Sequence, residues 1–252
     1  MAERTHGTGD ARARLKRNDL CSKGFMHQRN KAFTLIEMLV VISIIGVLAG
    51  LTVGISKLAS DKMRRSRVKA ELNALTMAID AYKAKFGVYP PDNKRTANLI
   101  LYETKNGQNF TQVVLNTNAA PQLFYELTGC LLTNLTFQDL MFSSRLASAD
   151  VALQFQVKGF VNASRSLGET KNFLQSLKPN QVAVFYRDQS TNNPVYFLKV
   201  PVKGTKAPSK PTQNTWCYNS RNPVNNPGQY DLWTEIVIGD KTLIFGNWNS
   251  GN

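Results

Sequence analysis

The sequence predicts an α+β protein in which a long N-terminal α-helix packs on a C-terminal domain with an antiparallel β-sheet. Three observations predict this class: a 23-residue apolar run at Phe33–Ile55, apolar residues at helical spacing directly after it, and strand patterns throughout the last third. A helix of about 20 apolar residues crosses a bilayer, so we expect the first half of the helix to span a membrane. The 252 residues, 42% of them hydrophobic, suffice for one sizeable globular domain plus this appendage.

Beyond the apolar run, the helical pattern continues to the start of the domain. Gly87, followed by two prolines, supplies its stop signal. The stripe favours packing on the domain over a short coiled coil, because it covers fewer than three heptads. The predicted segments are a membrane span at 33–56, an amphipathic continuation at 57–87 and a globular domain at 88–252. The stripe consists of Val68, Leu72, Leu75, Ile79, Tyr82 and Phe86.

The domain combines short helices with strands. A Pro near its start and a Gly at its end predict a helix over Ala120–Gly129, and TKNFLQSL predicts a second one. Strict alternation in VALQFQV, Val151–Val157, predicts a strand. Four further strand patterns follow, and Gly239 with Asp240 between the last two predicts a tight hairpin. These patterns are QVAVFYR, VYFLKV, YDLWTEIVI and KTLIFGNW.

The charge and the histidines are concentrated at the N-terminus. The net charge is +14, but residues 1–32 alone hold eight Lys or Arg against three acids. No readout motif accompanies the basic charge, so we expect no specific nucleic-acid binding. Both histidines, His6 and His27, lie in the same segment, so a chain without it has no His-based acid/base catalysis or metal site. We expect no enzymatic activity.

The three cysteines are too few for a disulfide scaffold and lack the spacing of a zinc site. Without residues 1–32, Cys130 and Cys217 remain. This even pair can form a disulfide in an oxidising compartment, and two buried thiols are the alternative.

The acid within the apolar run needs compensation. Glu37 is its only charge, and an acid at the bilayer centre costs about 2.5–3.5 kcal/mol on insertion scales. A secretory signal is disfavoured because the run continues as helix without a clear cleavage site, and a plain anchor gives the acid no role. Cleavage between Ala32 and Phe33 gives it one, since the new α-amino group of one subunit can neutralise Glu37 of a neighbour. Glu37 is therefore predicted to be an assembly residue.

The run KAFTLIEMLVVISIIGVLAGL resembles the class III signal of type IV pilins and of type II secretion pseudopilins. The resemblance implies that a prepilin peptidase cuts after Ala32, methylates the new N-terminal Phe33 and leaves Glu37 as the fifth residue of the mature chain. The family usually has Gly before the cut, and Ala32 is a less common variant. The basic segment is then a cleaved leader, whose true start is Met1 or Met26.

Two further segments resemble the major pseudopilin of type II secretion systems. They are AIDAYKAKFGVYPPD, at the end of the helix, and the tail YNSRNPVNNPGQYDLWTEIVIGDKTLIFGNWN. No resemblance covers residues 93–213. The implied fold is pilin-like, and the implied function is that of a structural subunit of a periplasmic pseudopilus that drives protein export.

This resemblance also implies a location and a set of partners. The chain would be a single-pass protein of the bacterial inner membrane with its C-terminal domain in the periplasm, and would then join a periplasmic filament. The implied partners are copies of itself, the prepilin peptidase, the inner-membrane assembly platform, minor pseudopilins and membrane lipid. The alternatives are a type IV pilin of a surface fibre for adhesion or motility, and a membrane-anchored periplasmic binding protein.

The resemblance departs from the family at its calcium loop. The family binds calcium through an Asp- and Gly-rich loop after the YDLW strand, whereas this chain has only Asp231, Glu235 and Asp240 around a short hairpin. Because calcium takes about 6–8 oxygen ligands, we expect no metal or other cofactor. Asp231 and Asp240 are weak calcium candidates.

Overall fold

The computed structural model describes residues 33–105, 107–190, 192–202, 213–238 and 241–248, including all their side chains except those of 52–57 and 105. The predicted leader and both residues of the predicted hairpin turn, Gly239 and Asp240, lie outside these residues. Within them the chain forms three α-helices and eleven strands.

The elements follow the order of an N-terminal helix and a mixed domain. They are α1 (Leu35–Phe86), β1 (Leu99–Lys105), β2 (Gln108–Leu115), α2 (Pro121–Thr128), β3 (Cys130–Thr133), β4 (Thr136–Asp139), β5 (Arg145–Ala147), α3 (Ser148–Phe155), β6 (Ala163–Ser164), β7 (Val182–Tyr186), β8 (Pro194–Leu198), β9 (Cys217–Asn219), β10 (Asp231–Ile238) and β11 (Lys241–Gly246). A single 3₁₀ turn, Pro179–Gln181, precedes β7.

The first part of α1, up to Leu51, exposes apolar side chains in every direction around the helix axis. Because consecutive helical residues differ by about 100°, an unbroken run of exposed residues leaves no covered face. Among the described residues, no helix combines the length and the apolar character needed to cross a membrane. The exposed large side chains are those of Leu35, Ile36, Met38, Leu39, Val40, Val41, Ile42, Ile44, Ile45, Val47, Leu48 and Leu51.

The later part of α1 packs into the domain through the stripe that the spacing predicts. Five of its six residues, from Val68 to Tyr82, are buried in the hydrophobic core, and Phe86 packs against that core. The predicted packing on the domain is confirmed, because a stripe repeating every three to four residues brings one face of a helix against one surface.

A buried carboxylate in α2 ties the helix to the domain. Glu126 is fully buried, and its Oε2 accepts a hydrogen bond of 2.9 Å from the hydroxyl of Tyr82 in α1. The backbone N–H groups of Val161 and Asn162 donate to Oε1 and Oε2 at 2.9 and 3.0 Å. These donors compensate for removing the carboxylate from water, so three separated segments meet at one side chain.

The domain contains three sheets whose strands pair almost entirely in antiparallel fashion. The first has the order β2-β1-β7-β8, the second β11-β10-β9 and the third β5-β4-β3-β6. The β3–β6 pair alone among these pairings is parallel. Helix α2 lies against β8, and all eight of its residues are buried. The predicted α+β class with antiparallel sheets is confirmed.

The four strand patterns of the last third and the Ala120–Gly129 helix are confirmed, but the strand over Val151–Val157 is wrong. This segment lies mostly in helix α3, where Val151 and Phe155 are buried and Leu153 is 75% exposed. The two buried residues are four apart and share one helix face. A short alternation of apolar residues is compatible with the two-residue repeat of a strand and with the 3.6-residue repeat of a helix. In this segment, tertiary contacts stabilise the helix.

The predicted helix TKNFLQSL is also wrong, because this segment is a loop. The N–H of Phe173 donates to the carbonyl oxygen of Leu127 at 2.8 Å, and the N–H of Lys171 donates to Oδ1 of Asn162 at 3.0 Å. The Phe173 ring lies 5.5 Å from that of Tyr82, between centroids. The backbone N–H groups of Lys171 and Phe173 therefore bond to other segments and not to a helical turn of their own.

Burial makes the domain's stability depend on pH. It raises the pKa of the carboxyls of Glu71, Glu126 and Asp139. Each therefore holds its proton more tightly when folded than when unfolded, so the free energy of unfolding falls as pH rises from about 4.5 through the raised values. We expect higher urea midpoints at about pH 5 than at about pH 7.5, measured by tryptophan fluorescence of the full chain in detergent. Glu126→Gln should weaken this dependence, and a wild-type midpoint that increases with pH in that range would contradict the argument.

Candidate assembly site

The predicted assembly residue Glu37 is part of a capping box at the start of α1. Both the backbone N–H and the hydroxyl of Thr34 donate to Oε2 of Glu37, each at 2.8 Å. The N–H of Glu37 lies 3.3 Å from the Thr34 hydroxyl oxygen, which accepts its hydrogen bond. This reciprocal arrangement satisfies N–H groups that a helix start leaves unpaired.

The sequence interpretation missed Thr34, although its signal was present. The pattern Thr-x-x-Glu directly before an apolar run is that of a capping box. Glu37 thus has a local structural role besides its predicted one. The predicted role can use the other carboxylate oxygen, because both side-chain bonds of Glu37 described above fall on Oε2.

The second oxygen of Glu37 is available to a donor from outside the chain. Within the described residues, Oε1 of Glu37 has no hydrogen-bond partner, and the side chain is solvent-exposed. Phe33 precedes the helix and is 75% exposed, while Ala32 lies outside the described residues. The cleavage between them and the methylation of Phe33 remain predictions.

The weak calcium candidate Asp231 organises a loop through N–H donors. Oδ2 accepts from the backbone N–H groups of Val224 and Asn225 at 2.7 and 2.9 Å, and from the Asn225 side-chain amide at 3.1 Å. Oδ1 accepts from the N–H of Asn226 at 2.9 Å. Asp231 is buried and holds the 224–226 segment around its carboxylate.

This geometry does not suit a calcium ligand. A cation needs the oxygen lone pairs that the four N–H donors occupy, and it would repel those N–H dipoles. Among the described residues, no group of three or more His, Cys, Asp or Glu side chains is arranged to hold a metal. The other candidate, Asp240, lies outside these residues.

The two candidate disulfide partners lie in different sheets. The buried Cys130 has its Sγ 3.9 Å from the carbonyl oxygen of Tyr125. Cys217 has its Sγ 4.0 Å from Oδ1 of Asn116. No disulfide joins the two cysteines in the structure, and their pairing stays a prediction.

Comparison with known proteins identifies the class of the N-terminal region. The family described as the prokaryotic N-terminal methylation motif matches residues 27–53. This segment includes the predicted cleavage position and Glu37. The match covers the first part of α1 and does not extend into the domain of antiparallel sheets.

The chain is also similar to type II secretion system core protein G from several bacteria. It is 44% identical to the protein of Klebsiella pneumoniae over 63 residues, which are 25% of this chain and 45% of the relative. It is 32% identical to that of Pseudomonas aeruginosa over 81 residues, 32% of this chain and 57% of the relative. The chain thus spans about half the length of these curated relatives.

No solved structure matches the chain. The relatives are named as core proteins of a secretion system, and the absence of enzymatic activity in this chain stays a prediction.

The Asp231 arrangement predicts a large and calcium-independent contribution to stability. Asp231→Ala leaves several N–H groups without their acceptor, so we expect the free energy of unfolding to fall by about 2–4 kcal/mol in urea titrations. Asp188→Ala, at an exposed acid bonded to Asn193, is the control and should change it by less than about 0.5 kcal/mol. Neither calcium nor a chelator should shift the wild-type midpoint, and a calcium-dependent increase would contradict this assignment.

Proposed function

We propose that the chain is a major pseudopilin-like structural subunit of a type II secretion pseudopilus. After cleavage between Ala32 and Phe33, residues 33–56 anchor it in the inner membrane, with the C-terminal domain in the periplasm. Subunits then leave the membrane and join a periplasmic filament through this same helix. The filament pushes exported proteins outward, so the work of the chain is mechanical.

One observation carries the proposal: among the described residues, the first part of α1 exposes apolar side chains all round the helix. Burying a Val, Leu or Ile side chain stabilises by about 1.5–3 kcal/mol, so twelve large apolar side chains require an apolar environment outside the chain. Lipid supplies it before assembly. The same segments of neighbouring subunits supply it in a filament core.

Glu37 favours a helix that assembles with other subunits over a helix that only anchors the chain in the membrane. A carboxylate within an apolar helix has to be neutralised or paired when water is removed. The capping box engages Oε2 of Glu37, and Oε1 can accept from the α-amino group of Phe33 in a neighbouring subunit. In a dry filament core such a pair is screened little by solvent.

The other partners follow from this proposal. A prepilin peptidase processes the chain, an inner-membrane platform assembles it, and minor pseudopilins share the filament. The similarity to type II secretion core proteins supports the pseudopilus over a surface fibre for adhesion or motility. Electron microscopy distinguishes the two, since a surface pilin forms fibres that extend from the cell.

Glu37→Ala should leave the protein in the membrane but prevent it from entering filaments, because the neighbouring amine loses its partner. Thr34→Ala is the matched control: it removes the capping hydroxyl and keeps the acid, so assembly should persist. Both are measured by crosslinking of subunits and by recovery of sheared filaments. Equal loss in the two variants would assign Glu37 to helix capping alone.

Mass spectrometry of the membrane fraction should find a chain that begins at methylated Phe33. The expected cause is cleavage after Ala32 by the peptidase, and the peptide should be absent from cells that lack this enzyme. An intact basic leader in peptidase-containing cells would favour a membrane-anchored periplasmic binding protein and would contradict the proposal.

A further inference from the structure

A dense group of cations lies on α1 between the apolar run and the buried stripe. Five occur within eight residues, and we call them the basic cluster. Arg64 and Arg65 are half-buried, and the other three are exposed. None of the five forms an ion pair or a side-chain hydrogen bond with a described residue. The basic cluster consists of Lys62, Arg64, Arg65, Arg67 and Lys69.

The helix itself does not neutralise this charge. Arg65 and Lys69 are four residues apart, and Lys62 and Arg65 are three apart, so like charges are neighbours on the helix surface and destabilise it. The acids nearest in sequence are Asp61 and Glu71. Glu71 is buried, and its Oε1 accepts a hydrogen bond from Nε2 of Gln181.

In its described part, beyond Glu37, a second copy of the chain exposes four acids, each on a different element or loop, so it presents no acidic cluster that matches the five cations. These acids are Asp80, Glu169, Asp188 and Glu235. Most of the other acids are used internally. Asp92 pairs with Arg221 and Asp150 pairs with Arg187. Five others are buried, namely Glu71, Glu103, Glu126, Asp139 and Asp231. The counter-charge of the basic cluster therefore has to come from another kind of molecule.

We propose that the basic cluster binds the anionic headgroups of membrane phospholipids. This inference rests on the proposed function, in which residues 33–56 lie in the membrane. In the sequence, the cluster begins seven residues after the apolar run ends at Ile55, the position from which a chain leaving a bilayer meets headgroups. Arginine guanidinium groups bind phosphate oxygens with two parallel hydrogen bonds, and three of the five cations are arginines.

The interaction gives the membrane-bound subunit a second attachment besides its apolar helix. It fixes how close the domain lies to the headgroups, and it has to be broken when the subunit moves into a filament. Such binding is electrostatic, so it weakens as salt screens the charges.

The test uses the full chain reconstituted into vesicles of phosphatidylcholine alone or with about 30% phosphatidylglycerol. A membrane-impermeant amine reagent modifies exposed lysines, and peptide mass spectrometry gives the rate at each site. In about 0.01 M salt, Lys62 and Lys69 should react about fivefold more slowly in the anionic vesicles, the change expected for a single cation at such a surface. The exposed Lys158 and Lys241 are internal references and should not change.

Two variants of equal net charge test whether the protection of Lys62 and Lys69 depends on the arginines of the basic cluster. R64Q/R65Q/R67Q keeps both reporter lysines and should abolish their protection, since the arginines hold the headgroups. K94Q/R145Q/R165Q removes three exposed cations elsewhere and should preserve it. Glutamine keeps the helix propensity of arginine, so neither outcome depends on unfolding α1.

Each other result overturns the proposal. Equal lysine reactivity in both kinds of vesicle means that no headgroup covers the cluster. Equal protection in neutral vesicles that increases with protein density means that a second copy covers it. Alkaline carbonate extraction distinguishes failure of headgroup binding from failure of the proposed membrane anchor. A chain that stays in the vesicles with unprotected lysines contradicts only headgroup binding. A chain that is extracted from the vesicles contradicts the anchor.

Discussion

An exposed apolar helix surface in the described part of the chain is the constraint on which the rest of this molecule depends. The side chains of α1 up to Leu51 point outward in every direction and are exposed among the described residues. Water exposure of such a surface is costly, so the segment is stable only in lipid or among other apolar helices. The proposed function uses both environments, and an unbroken apolar helix is compatible with each of them.

A single charged residue, Glu37, distinguishes one end of this apolar surface from the rest. Any apolar helix of sufficient length is stable in lipid. The Glu37 carboxylate, in contrast, needs a hydrogen-bond donor at its own depth in the apolar environment. The capping box with Thr34 holds the carboxylate at the first turn and orients it through one oxygen. The other oxygen has no hydrogen-bond partner among the described residues, so the capping box is compatible with the proposed contact between subunits.

The domain explains the basic character of the surface. Several of its acids serve internal purposes: Glu126 joins α2 to α1 and to the 161–162 segment, and Asp231 gathers the N–H groups of a loop. Carboxylates placed in this way accept many hydrogen bonds, but they do not balance exposed lysines and arginines. The excess of positive charge at the surface is thus partly a consequence of how the core is built, and it is densest on α1 after the apolar run.

The sequence alone determined the features that depend on local periodicity and composition. The 3.6-residue repeat specified the buried stripe of α1, and the alternating apolar residues specified β7, β8, β10 and β11. Even the hairpin of β1 and β2, which sequence reasoning missed, had a local signal in Asn106-Gly107 between two strand patterns. Only the tertiary structure decided the short ambiguous segments. Val151–Phe155 became helix and TKNFLQSL became loop because their partners come from distant parts of the chain. The same holds for Asp231, since the four donors that occupy its oxygens are brought together by folding and no spacing in the sequence specifies them.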